Sequence, residues 1–129
     1  MNGRFLLDTN IVIAIFAKEA NVQAHLVSAT EVFVPAIVLG ELYYGAHKSS
    51  RITENIAKIN EFAANNAVMA SDTATAQAYG QIKNGLRAKG RPIPENDIWI
   101  AAIAMQYNLA LVTRDSHFGE VEGLVIETW

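Results

Sequence analysis

Short, continuous apolar runs alternate along this chain with stretches whose apolar residues recur at helical spacing. Residues 4–7 (RFLL) are the first such run, a strand that stops at Asp8. Asp8, Thr9 and Asn10 then offer three capping side chains in succession, ahead of a helix expected over 11–18 and a short one over 22–29. Residues 32–34 (VFV) predict a second strand, closed by Pro35, which suits the first turn of a helix over 36–47. A more polar helix is expected over 53–65, with Ile56, Ile59 and Phe62 or Ala63 on its core face. Residues 67–69 (AVM) predict a third strand, and Asp72 can cap a long helix running to about residue 88. The segment GRPIP at 90–94 is the clearest loop. Glu95 or Asn96 then opens a helix to 107, followed by a fourth strand over 109–112, a loop over 113–119 and a fifth strand over 124–126.

Each strand is a continuous apolar run rather than an alternating one. That pattern belongs to an α/β protein whose parallel sheet is covered on both faces. No repeat, low-complexity tract or linker interrupts it, so residues 1–129 are expected to form one domain, long enough to bury a single core. Ligands of such sheets sit outside the carboxyl ends of the strands, which directs attention to the residues there.

Composition narrows the reading. With 51% hydrophobic and 18% charged residues, the chain has the makeup of a folded domain. It has no cysteine, which excludes disulfides and thiol chemistry and fits a cytoplasmic protein. The apolar run before Asp8 is too short for a secretory leader, and no apolar stretch of about 18 residues predicts a membrane span. The net charge of −3 does not advertise nucleic acid, so the acidity has to be read locally.

Four carboxylates stand out. Asp8 follows the first strand, Asp115 follows the fourth by a few residues, and Asp97 lies in the first turn of the helix leading into the fourth. Glu41 lies mid-helix among Ile37, Val38, Leu39, Gly40, Leu42, Tyr43 and Tyr44, so that helix is expected to be apolar all round and buried. A carboxylate there is costly to desolvate unless something charged satisfies it. Taken singly, Asp8 reads as a helix cap, Asp97 as a first-turn acid and Asp115 as a turn residue. Taken together, acids at one sheet edge repel one another, and a divalent cation relieves that repulsion. All-oxygen ligands suit Mg2+ or Mn2+. Zinc fits poorly, because His25, His47 and His117 have no ligand spacing and read as surface or loop residues, His117 least clearly of the three since it stands beside Phe118 in the Asp115 loop.

At this point the chain resembles the PIN domains and, within them, the VapC toxins. The resemblance rests on LLDTNI at 6–11, VLGELYYG at 38–45, IPENDIWIAA at 93–102 and LVTRDSHF at 111–118, in the family's order and spanning nearly the whole chain. It implies a three-layer α/β/α fold with a five-stranded parallel sheet in the order 3-2-1-4-5. The family's acidic positions fall on Asp8, Glu41, Asp97 and Asp115, and its supporting polar positions on Thr9, Asn10, Asn96 and Thr113. Glu95, two residues before the third acid, departs from the usual small or neutral residue and adds charge beside the site. The implied activity is endonucleolytic cleavage of structured RNA such as transfer or ribosomal RNA. The implied partners are a VapB-type antitoxin and a second copy of the chain.

On that reading Asp8, Asp97 and Asp115 hold the Mg2+ or Mn2+, and Glu41 completes the shell or accepts a proton from water. Lys83, Arg87, Lys89 and Arg91 cluster around the end of the long helix and, with Arg114, are candidate phosphate contacts. Tyr43, Tyr44 and Trp99 are expected in core or dimer packing. A receiver-type phosphoacceptor would need a lysine after the last strand, and residues 124–129 have none. A haloacid-dehalogenase-type phosphatase would need aspartate at position 10, where the chain has Asn10. A flap-nuclease relative would carry DNA-clamping insertions, which are absent. The competing reading is a PIN domain that binds RNA or a protein partner without cutting.

Overall fold

The computed structural model describes residues 3–129; Met1 and Asn2, part of the segment read for a leader, lie outside the described residues. Five strands form one parallel sheet: β1 (Arg4–Leu7), β2 (Glu31–Pro35), β3 (Ala67–Met69), β4 (Ala110–Val112) and β5 (Ile126–Glu127). Their order is β3-β2-β1-β4-β5, the order that the resemblance implies. Six helices complete the α/β/α layers: α1 (Thr9–Phe16), α2 (Ala20–Ser28), α3 (Ala36–His47), α4 (Ile52–Ala64), α5 (Thr73–Ala88) and α6 (Glu95–Gln106).

Burial follows the apolar runs. Leu6 and Leu7 of β1 and Leu111 and Val112 of β4 are fully buried, as central strands covered on both faces must be. Along α6, Ile98 and residues 100–104 are buried together, because α6 packs against β4, α3 and α5 at once. Asp8 caps α1 by accepting a hydrogen bond from the Thr9 amide, so this helix starts two residues before the expected boundary. Asp72 caps α5 through a reciprocal pair of bonds with Thr75.

Three expectations need correction. Helix α3 is not buried all round: Gly40 and Tyr44 face solvent, Tyr44 is 66% exposed, and Glu41 is half-buried. Its apolar letters mislead because Gly40 and Gly45 bring no side chain to bury, while Lys48 lies over the Tyr44 ring at 4.9 Å. The loop expected over 113–119 contains a 3-10 turn, Ser116–Glu120, held by fully buried Phe118. One turn has too few residues to show a period. The last strand begins at Ile126 instead of 124, because Leu124 closes a turn onto Val121 with Gly123 at φ 83°. Trp99 stacks on Tyr79 at 4.1 Å within the α5–α6 packing.

Candidate metal centre

The parallel order places the carboxyl ends of β1 and β4 side by side, with Leu7 in register with Val112. Asp8 leaves the first and Thr113–Asp115 the second, so residues about a hundred positions apart in sequence share one edge. The first turn of α6 brings Asp97, and the middle of α3 brings Glu41. All four acids line one open cleft of about 660 Å3, together with Thr9, Asn10, Glu95, Asn96 and His117.

Asp8 is 3% exposed and Thr113 1%. The Thr113 hydroxyl donates to Asp8 Oδ2 at 2.7 Å, and the Thr9 amide donates to Oδ1 at 2.8 Å. Asn10 Nδ2 bridges Asp8 Oδ2 and Asp115 Oδ2, at 3.3 Å from each. The Thr9 hydroxyl donates to Glu41 Oε1 at 2.7 Å. Thr9, Asn10 and Thr113 thus act directly on carboxylates, whereas Asn96 lines the cleft without a hydrogen bond to any acid among the described residues.

His117 is the residue that the spacing of the three histidines hid. Its Nε2 lies 2.6 Å from Asp97 Oδ2, and one ligand atom each from Asp97, Asp115 and His117 fall within 4.8 Å of one another. The two residues are twenty positions apart, and the 3-10 turn that closes the gap leaves no mark in the sequence. Asp8 is outside that trio: its Oδ2 accepts from Thr113 and Asn10, while Oδ1 accepts from the Thr9 amide and has a second lone pair for a cation.

The predicted basic residues do not line the cleft. Lys83 bonds Glu95 at 3.1 Å and the Tyr79 hydroxyl at 3.2 Å, so the extra acid beside the site is paired rather than free. Lys89 pairs with Glu120 at 3.6 Å, and Arg114 with Glu19 at 2.8 Å. Arg87 and Arg91 are exposed and have no ionic partner among the described residues.

Burial pushes the Asp8 carboxyl above its ordinary value of 3.8, against the Thr113 and Thr9 hydrogen bonds, and the nearby Asp115 and Glu41 charges add to the rise. Burial likewise raises Asp97, against the hydrogen bond from His117. Both groups keep protons to higher pH folded than unfolded. As pH rises the unfolded chain deprotonates first, so the metal-free fold loses stability from about pH 4 upward through the raised values. Glu19, Asp72 and Glu95 shift downward, through hydrogen bonds from Arg114, the Thr75 amide and Tyr79 respectively. Their effect is lost on acidification below the ordinary range, and solvent screens it. The thermal midpoint in EDTA should therefore fall as pH is raised from about 4 to 7; a midpoint that climbs across that range would contradict the assignment.

The donor set suits a hard divalent cation. Four carboxylates share the cleft, and no lysine or arginine among the described residues pairs with any of them. Hydroxyl and amide donors orient them, but cannot neutralise them.

A parallel α/β sheet that gathers distant acids at its carboxyl edge defines a protein with an acidic cleft built for a cation, and the PIN-domain model matches residues 5–124. The chain belongs to the PIN-domain family, and within it is closely related to the VapC-type ribonucleases of toxin–antitoxin systems. It is 36% identical over 129 residues to Ribonuclease VapC2 of Haemophilus influenzae, with 98% of each chain covered. It is equally similar, 36% over 98% of each chain, to the tRNA(fMet)-specific endonuclease VapC of Shigella flexneri. The fold superposes on the DNA-bound VapBC structure of Salmonella typhimurium with a TM-score of 0.91 at 32% identity, covering 100% of this chain and 99% of that one. Among the described residues no helix is long and apolar enough to cross a membrane.

Proposed function

We propose that this protein is the toxin of a toxin–antitoxin pair, a single-domain endoribonuclease that depends on Mg2+ or Mn2+ and cuts structured RNA in the cytoplasm. The observation that carries the reading is the convergence of Asp8, Glu41, Asp97 and Asp115 on one cleft, where no lysine or arginine among the described residues pairs with them and His117 meets Asp97. The named activity of the Haemophilus and Shigella relatives supports it, as does the Salmonella complex for a VapB-type antitoxin as partner. A homodimer completes the proposal.

Asp8, Asp97 and Asp115 would hold the cation. When bound, it supplies a water of lowered pKa and offsets charge on the phosphoryl oxygens. Thr113, Asn10 and Thr9 orient the carboxylates, each through a bond already described. Thr9 holds Oε1 of Glu41, and this carboxylate, which lines the cleft, accepts the proton of the attacking water. One P–O bond forms to that water and the opposite P–O bond breaks, the departing ribose oxygen taking a proton from solvent to leave as a hydroxyl beside a phosphomonoester. Arg87 and Arg91, which have no ionic partner among the described residues, would meet phosphates together with Lys83, which bonds Glu95 of the cleft lining.

The test is single-turnover cleavage of total RNA in Mg2+. The wild type should cut, and both EDTA and Asp97→Asn should stop it. RNA binding without cutting by the wild-type protein would favour the non-catalytic alternative.

A further inference from the structure

Arg114 immediately precedes a proposed cation-holding acid, yet it does not line the cleft: its side chain, 36% exposed, is held by two partners outside it. Nη2 donates to Glu19 Oε1 at 2.8 Å, Nη1 lies 3.4 Å from Glu19 Oε2, and Nε donates to the Trp129 carbonyl at 3.1 Å. Both anchors are themselves fixed. Glu19 sits at the start of α2, and its amide donates to the Ala14 carbonyl of α1. Trp129 is 5% exposed, edge-on to Phe5 at 5.2 Å and stacked on His25 at 5.1 Å.

The backbone of Arg114 faces the site. Its amide donates to Asn10 Oδ1 at 3.2 Å, which sets the orientation of the Asn10 carboxamide whose other end bridges Asp8 and Asp115. The Asp115 amide in turn donates to the Thr113 hydroxyl at 3.0 Å. A displacement of residue 114 therefore moves Asn10 and both carboxylates with it.

We propose that Arg114 is a positioning residue: clamped by Glu19 and the Trp129 carbonyl, it fixes through its amide and Asn10 the spacing of the Asp8 and Asp115 carboxylates. A fork that makes three bonds in fixed directions does this, and a lysine cannot. The inference rests on the metal-dependent reading above.

The experiment measures Mn2+ binding to the RNA-free protein from the electron paramagnetic resonance of free Mn2+, for wild type, Glu19→Ala, Arg114→Lys and the double variant. The Glu19 side chain makes no capping bond to α2, so its removal spares that helix. Arg114→Lys should weaken Mn2+ by about threefold, less than the roughly tenfold that follows loss of a group bonded directly to a metal ligand, because Arg114 acts one bond further out, through Asn10. Glu19→Ala should shift it in the same direction, and the double variant should be no weaker than the poorer single by more than about twofold, because one clamp is being broken twice. Single-turnover cleavage should slow in Glu19→Ala with RNA affinity and its salt dependence unchanged.

Wild-type Mn2+ affinity in both single variants would overturn the proposal. So would weakened RNA binding and a shallower salt slope in Arg114→Lys with Glu19→Ala unaffected, which would make Arg114 a phosphate contact. Failure of the wild-type protein to bind Mn2+ at all would instead overturn the metal-dependent reading, and the proposal with it.

Discussion

Asp8→Asn is expected to lower RNA cleavage by at least roughly 1,000-fold while leaving the metal-free protein as stable as wild type or more so. The two halves have one cause. Asp8 is 3% exposed, and burial and the charges of Asp115 and Glu41 all oppose its ionised form. Removing that charge relieves the metal-free fold. The hydrogen bonds adapt in part: the asparagine oxygen still accepts from the Thr9 amide, and the Thr113 hydroxyl has a lone pair for the new amide. What the variant cannot do is contribute negative charge to a bound cation. Mg2+ should accordingly raise the thermal midpoint of the wild type and leave that of Asp8→Asn nearly unchanged. Circular dichroism melts with and without EDTA, beside a cleavage assay, check both halves. Full activity in the variant would remove Asp8 from the chemistry.

Phe118→Ala should cost about 3–5 kcal/mol, the usual price of an aromatic ring removed from a core. Against a total of about 5–15 kcal/mol, that is a large fraction of stability. Phe118 is fully buried and forms the hydrophobic root of the turn that carries His117, with the two rings 5.0 Å apart. Urea unfolding should show a lower midpoint at an unchanged slope, while Phe118→Leu, which refills most of the volume, should lose under about 1.5 kcal/mol. Cleavage by the alanine variant should fall even where the protein is still mostly folded, because Asp115 and His117 immediately precede the missing anchor in the turn that it roots. A stable, fully active Phe118→Ala would show that the turn does not depend on its root.

These two residues also mark what could be read from the chain. The strand order that brings the four acids together is implied by the resemblance. The bounds of α3 and β3 and the strand count follow from local features: continuous apolar runs, a proline at residue 35, an aspartate at each of two helix starts. Such features act over a few residues, so they survive in the sequence. His117 escaped because its pairing with Asp97 is made by a single 3-10 turn that no periodicity announces. Arg114 escaped for a stronger reason. Its partner Glu19 lies 95 residues away, and a lone arginine beside an acidic motif carries the same letters whether it grips a phosphate or a neighbouring helix. The exposed face of α3 was misread because hydrophobic letters do not report which side of a helix has a neighbour.

The strand order has a consequence for synthesis. The central strand β1 is made long before the strand that completes the acidic edge beside it: Asp8 and its hydroxyl donor Thr113 are 105 residues apart. A growing chain therefore has no assembled pocket until β4 has been translated and docked. Truncated products that stop before it lack Thr113 and Asp115, so the acidic cleft exists only in chains whose β4 has emerged and paired with β1.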